Sequence, residues 1–303
     1  MAPTSPSPIR PSCDRLLAAQ KALRDCRRKS KGDAPTARHR YGNRVEQDER
    51  LIHASSFGAA AAAYAEHRPD YAQAAVRWAL EPAPGPRVLD LGAGTGKLTA
   101  TLVALGAEVI AVEPDPAMLI ELRRALPTVR ALPGSAEAVP LPDASVDAVL
   151  AGHALHWFDM DVAGPEMARV LVPGGILSGL WNVIDNRVDW VAGLERVSGR
   201  AAIGPRDTLS SWRAETADAH LPNIGLVAQF GSPEQAEFPY GQRRTADSLV
   251  ATLATRAGLL IMPEQEQEAT LLRIRDFLAS RPETAHGEFT LPMLTGVLRV
   301  RRL

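Results

Sequence analysis

The sequence predicts an α/β protein: a doubly wound, mostly parallel seven-stranded sheet with helices on both faces and a helical insertion late in the chain. Three observations carry that reading. Short apolar runs alternate with stretches of helical period between residues 87 and 182, the alternation that builds a parallel sheet covered on both sides. The first run stops at a turn holding Gly92, Gly94 and Gly96, where such sheets open a ligand crevice at the carboxyl ends of their strands. And 46% of the 303 residues are apolar, enough for one large domain or two modest ones with a proper core.

The elements follow in order. Residues 1–50 read as a disordered basic extension with no share in the chemistry, and Asp14, Asp25 and Asp33 fit poorly with a transit peptide. From Ser55, "SFGAAAAAYAEHRPDYAQAAVRWAL" reads as two short helices broken near Pro69. The linker "EPAPGP" releases the chain into the strand "RVLDLGAG"; "KLTATLVALG" follows as a helix closing at Gly106, then the strand "AEVIAVEPD" and the helix "PAMLIELRRAL". "TVRALPGSAE" and "VDAVLAGHALHWF" supply two more strands, "GPEMARVLVPGG" a helix with a Pro-Gly stop, and "GILSGLWN" a fifth strand. Residues 183–235 read as helices and loops of an inserted lid. Residues 236–303 then give a strand and helix from "EFPYGQRRTADSLVATLATRAG", a helix from "PEQEQEATLLRIRDFLASRP" and a closing strand from "EFTLPMLTGVLRVRR". The last two strands are expected to pair as a hairpin edge that completes seven. The domain reading is therefore an extension over 1–50 and one folded domain over 51–303, with its core at 57–182.

Composition excludes several classes of function. The formal net charge of −1 divides into 12 Lys/Arg against 6 Asp/Glu in residues 1–50 and 22 against 29 in residues 51–303. A mildly acidic body gives no broad face for nucleic acid, so no nucleic-acid partner is expected. Cys13 and Cys26 are the only cysteines and both lie in the basic tail, which leaves the body without a disulfide framework or a thiolate metal site. No run reaches the roughly 18 apolar residues of a membrane span, and the first residues lack a secretory apolar core. The expectation is a cytoplasmic protein with no membrane partner and no metal.

The glycine turn narrows the ligand. A dinucleotide fingerprint needs a third glycine where Lys97 stands, and a phosphate loop needs a glycine at Leu91 and a hydroxyl at Leu98. What remains is a turn with Asp90 two residues ahead of it and Glu113 ending the next strand, 17 residues past Gly96. A carboxylate there can accept both hydroxyls of a ribose, while bare glycine backbone lets an amino-acid tail lie against the turn.

"VLDLGAGTG", "VIAVEPDPAML", "GSAEAVPLPDASVDAVLAGHALHWF" and "RVLVPGG", in this order and spacing, resemble the successive motifs of class I S-adenosylmethionine-dependent methyltransferases, with a Rossmann-like fold. The "ALHWF" form is most similar to the small-molecule branch that includes trans-aconitate-type enzymes, and the resemblance covers about residues 57–182. It implies S-adenosyl-L-methionine as cofactor. Asp90 with Gly92, Ala93, Gly94 and Gly96 would meet the methionine part, Glu113 the ribose diol, and Pro114 and Met118 the faces of the adenine. Ser135, Ala136 and Glu137 would supply the adenine edge, and Tyr64 and Arg68, from the helix before the first strand, would meet the carboxylate.

Past the fourth strand, "AGHALHWFD" delivers His153, His156, Trp157 and Phe158 to the place where the methyl group should point. Methyl transfer from a sulfonium is an in-line displacement, so a dry aromatic pocket that aligns two atoms supplies much of the acceleration. His156 or His153 could take a proton from a hydroxyl acceptor or donate a hydrogen bond to a carboxylate, with Trp157 and Trp181 lining the substrate pocket. Arg187, Arg243 and Arg244 read as solvated surface, and Asp147 as structural. Base methylation is disfavoured: no Asn/Asp-Pro-Pro-Tyr/Phe tetrapeptide follows the fourth strand, and the body has no cysteine nucleophile. An NAD(P)-dependent oxidoreductase and a cofactor-binding protein without turnover stay open beside a small-molecule methyltransferase, as monomer or homodimer.

Overall fold

The computed structural model describes Ala61, Ala65 and residues 68–204, 207–217 and 229–303. The readings of residues 1–50, of most of the helix before Pro69 including Tyr64, and of the insertion at 218–228 lie outside the described residues. All described residues belong to one compact unit, 52–303.

The strands are β1 (Arg87–Leu91), β2 (Glu108–Glu113), β3 (Arg130–Pro133), β4 (Val146–Gly152), β5 (Leu171–Ile184), β6 (Glu234–Thr245) and β7 (Glu288–Arg301). They form one seven-stranded sheet in the order β3-β2-β1-β4-β5-β7-β6. β3 through β5 run parallel, and β7 runs antiparallel between β5 and β6, which makes the expected edge. The central strands are apolar on both faces because both faces are covered: β4 is buried from Val146 to Ala151. After β1 the chain builds outward to β3 and then returns to place β4 on the other side of β1, so the crevice opens at the carboxyl ends of β1 and β4.

Helices α1 (Gln73–Leu80), α2 (Lys97–Ala104) and α3 (Pro116–Ala125) cover one face. Val76, Leu102, Leu150 and Leu180 meet there in one apolar cluster. On the opposite face, α4 (Met160–Val170) and α6 (Leu209–Ala217) pack Met167 and Trp212 against Leu89, Leu177 and Trp181. A further cluster gathers Trp190 and Leu194 of α5 (Asp189–Ala202), Leu253 of α7 (Ala246–Ala254) and Leu278 of α9 (Glu264–Ala279) on Phe289 and Leu291. Between α7 and α9 lies the short α8 (Ala257–Leu260). Of these helices, α5 and α6 fall within residues 183–235.

Local chemistry sets the boundaries. Asp115 caps α3 by accepting from Ala117 N and Met118 N at 2.8 and 3.0 Å, with Pro116 at the first helical position. Asp147 is structural as expected: it accepts from Arg87 N, Nε and Nη2 at 3.0, 2.9 and 2.8 Å, tying β1 to β4 at their amino ends. Arg187 sits at the surface in a bidentate pair with Asp185. Two boundaries differ from the expectation. Helix α4 starts at Met160, ahead of "GPEMARV", with Pro165 inside it and Asp159 as its cap. The Pro-Gly stretch does not separate helix from strand, because β5 begins at Leu171 and absorbs Gly174 (φ 75°) beside a register shift between Val146 and Ala148 of β4.

Candidate active site

A pocket opens where the fold predicts, at the carboxyl ends of β1, β4 and β5. Its wall includes Gly92, Ala93 and Gly94 after β1, Gly152 and His153 after β4, Asn182 of β5, Lys97 and Leu98 of α2, and Arg68, Tyr71 and Arg256 from flanking segments. Gly92, Gly94 and Gly96 all have left-handed backbone, with φ of 70°, 56° and 89°. They are bare for different reasons. A Cβ on Gly92 would lie 2.7 Å from the Ala154 Cβ, and one on Gly96 3.0 Å from the Leu122 Cγ, whereas one on Gly94 would have nothing within 4 Å. Two glycines make room for the protein's own core, and Gly94 alone presents bare backbone to open space.

Two carboxylates bracket this turn. Glu113, at the end of β2, is 7% exposed and accepts from Gly94 N at 2.8 Å through Oε2 and from Asp115 N at 2.9 Å through Oε1. Burial raises its pKa, and the two amide donors oppose the shift. Asp90 lies inside β1 and is fully buried. The Thr99 hydroxyl donates to its Oδ2 at 2.6 Å, while its Oδ1 is buried with no hydrogen-bond partner. Burial pushes this carboxyl up to about 7. A buried acceptor of this kind in a pocket wall fits a cationic donor arriving with a ligand.

Across the pocket the charges are positive. Arg68 Nη2 donates to the Thr255 carbonyl at 3.3 Å, Arg256 is ion-paired with Asp207, and Lys97 Nζ stands 3.4 Å from Asp70 Oδ1. His153 stands half-buried among them with φ of 53°. Its Nε2 accepts from Asn182 N at 2.8 Å, and burial, reinforced by Arg256 and Arg68, pushes its pKa down to about 3. This corrects the proton-acceptor reading of His153: the Nε2 lone pair is occupied, so the ring is neutral, carries its proton on Nδ1 and can only donate. Asn182 also donates to the Asp70 carbonyl at 3.2 Å and accepts from the Thr295 hydroxyl at 2.7 Å, which ties the segment before α1 to β5 and β7.

The remaining candidates are not among the residues that line this pocket. Ala136 is buried, Ser135 forms an isolated bridge with Ala138, Pro114 is exposed and Met118 is buried on α3. β3 lies beside β2 with Pro133 opposite Glu113, so Ser135 and Ala136 leave the sheet next to the carboxylate. Glu137 is turned elsewhere, accepting from Asp159 N at 3.0 Å at the start of α4, which corrects its placement at an adenine edge. His156 and Trp157 sit on a 3-10 turn, Leu155–Trp157, with ring centroids 5.0 Å apart. Trp181 is not a pocket residue. Strand alternation turns it onto the α4 face, where it is 3% exposed and packs with Leu177 and Trp212, and gives the pocket its neighbour Asn182 instead. Tyr71, Thr99, Asn182 and Arg256 were not among the sequence candidates. The distances between them along the chain explain why: Thr99 alone stands close to a recognised motif.

Among the described residues no helix is long and apolar enough to cross a membrane, and no cluster of His, Cys, Asp or Glu could hold a metal ion. Residues 89–178 match the family described as "Methyltransferase domain". The chain is 42% identical over 245 residues to an uncharacterized methyltransferase of Mycobacterium tuberculosis, covering 80% of this chain and 94% of that one. It is 34% identical over 205 residues to an uncharacterized methyltransferase-like protein of Schizosaccharomyces pombe, covering 66% of this chain and 76% of the other. A solved structure from Anaeromyxobacter dehalogenans, described as a candidate type II methyltransferase, superposes with a TM-score of 0.57 at 27% identity, covering 78% of this chain and 97% of that one. With the glycine turn, its two carboxylates and this likeness over most of both chains, the protein belongs to the class I S-adenosylmethionine-dependent methyltransferases.

Proposed function

We propose that the protein transfers a methyl group from S-adenosyl-L-methionine to a small-molecule acceptor bearing a hydroxyl or carboxylate. The observation that carries this reading is the Oδ1 of Asp90, buried and without a partner in the pocket wall beside the open face of Gly94. When bound, the cofactor supplies a methyl on a positively charged sulfur, transferred in line to the acceptor's lone pair. Asp90 and the backbone of Gly92–Gly94 hold its amino-acid part and Glu113 its ribose diol. Glu113 is fixed for this by its two amide donors, which leave each carboxylate oxygen a second lone pair. Pro114, Met118, Ser135 and Ala136 flank the adenine. From a hydroxyl acceptor His156 would receive the proton, while a carboxylate has none to lose; Trp157 would screen the acceptor from water and His153 would contribute a fixed N–H donor. The helical insertion serves as the lid.

Two measurements test this. Equilibrium titration is expected to show S-adenosylmethionine and its demethylated product binding, with no comparable heat from NAD or NADP. Isotopic methyl transfer into a panel of carboxylates, phenols and amines is expected to label an oxygen acceptor. Preferential binding of a nicotinamide cofactor, or labelling confined to amines, would overturn the reading.

A further inference from the structure

A second arginine stands with Arg68 in the pocket wall, and it comes from the far end of the chain. Arg68 and Arg256 both line the wall that contains Asp90 and Gly94. They are 188 residues apart in sequence and meet through one peptide: Arg68 Nη2 donates to the carbonyl of Thr255, the residue before Arg256, at 3.3 Å. Thr255 is itself anchored, buried and donating its hydroxyl to the Thr252 carbonyl at 2.7 Å at the end of α7.

Arg256 is held from behind. Its Nη1 pairs with Asp207 Oδ1, the other Asp207 oxygen accepts from Gly204 N at 2.8 Å, and the two side chains are 13% and 15% exposed. The insertion therefore fixes the guanidinium before any ligand arrives, so little side-chain entropy remains to be lost on binding. Arg68 and Arg256 each lie close enough to His153 to favour its uncharged ring. One wall therefore holds two guanidiniums, the Asp90 carboxyl, bare glycine backbone and an uncharged imidazole, the set of groups that an α-amino-acid zwitterion would meet.

We propose that Arg256 is a cofactor-positioning residue: with Arg68 it forms a two-arginine clamp for the carboxylate of the cofactor's amino-acid part, with the ammonium site at Asp90. This rests on the S-adenosylmethionine reading above. A planar guanidinium permits paired hydrogen bonds to a carboxylate that an ammonium cannot reproduce. Because Asp207 precedes α6 and Arg256 follows α7, the clamp also makes cofactor affinity depend on how the insertion is seated.

The test uses the full chain and two ligands that differ only in the carboxylate, S-adenosylmethionine and its decarboxylated analogue, titrated calorimetrically. The unaltered protein is expected to prefer the carboxylated ligand by at least about tenfold. Arg256→Met is expected to weaken binding of that ligand by about tenfold while changing the decarboxylated one by less than about twofold, so the preference collapses. Arg256→Lys should restore part of it. Equal weakening of both ligands by Arg256→Met, or no weakening of either, overturns the clamp and leaves the cofactor reading standing. Failure of the unaltered protein to bind either ligand overturns both.

Discussion

A single carboxylate inside an apolar strand is an anomaly that sequence alone exposes, and Asp90 and Glu113 were legible for that reason. Glu113→Ala removes the partner of Gly94 N and Asp115 N together with the proposed ribose acceptor, and is expected to weaken cofactor binding by at least about tenfold in a calorimetric titration. Asp90 makes a prediction about pH. Burial raises its carboxyl from the ordinary 3.8 to about 7, so the ligand-free fold favours the protonated form and binds a proton that the unfolded chain has lost. Its contribution to stability is thus present near pH 4 and is lost as pH rises towards 7. Thermal melting is expected to show Asp90→Asn flattening that decline. Cofactor affinity should rise over the same range, since the ammonium needs the ionised carboxylate, and Asp90→Asn should abolish the rise. An unchanged pH profile in that variant would take Asp90 out of ammonium binding. The role of His153 was not legible, because its lone pair is consumed by Asn182 N, 29 residues on and in another strand.

At the scale of elements, periodicity and punctuation read well and side-chain direction less so. The turn from β1 to α2 was visible as three glycines, yet only the folded chain separates their roles. Gly94→Ala places a Cβ in open space at φ of 56°, so it should cost only about 1–2 kcal/mol of stability and lose cofactor affinity disproportionately. Gly92→Ala, at φ of 70° with Ala154 Cβ 2.7 Å away, should cost more, about 2–4 kcal/mol, in denaturant unfolding. Trp181 shows the limit: a tryptophan at a strand end reads as pocket lining, and a shift of one residue in strand parity buries it against Trp212 and hands the pocket to Asn182. The start of α4 was placed too late because Asp159 acts as its cap and Pro165 is tolerated inside it.

Over the whole molecule, stability and ligand chemistry occupy opposite ends of the sheet. Asp147→Ala breaks three hydrogen bonds from Arg87 at the amino ends of β1 and β4, and is expected to cost about 1–3 kcal/mol in denaturant unfolding while cofactor affinity stays within about twofold. A large loss of affinity would mean that the two ends are coupled. The sequence by itself determined the strand and helix succession, the glycine turn, the acidic residues beside it and the reaction family, because each is written in local spacing and in carboxylates placed where apolar residues belong. The tertiary structure alone decided which glycine opens onto free space, that His153 is a donor, and that Arg68 and Arg256 stand together in the wall. Those facts depend on packing across strands and on pairs far apart along the chain, for which one sequence carries no local signal.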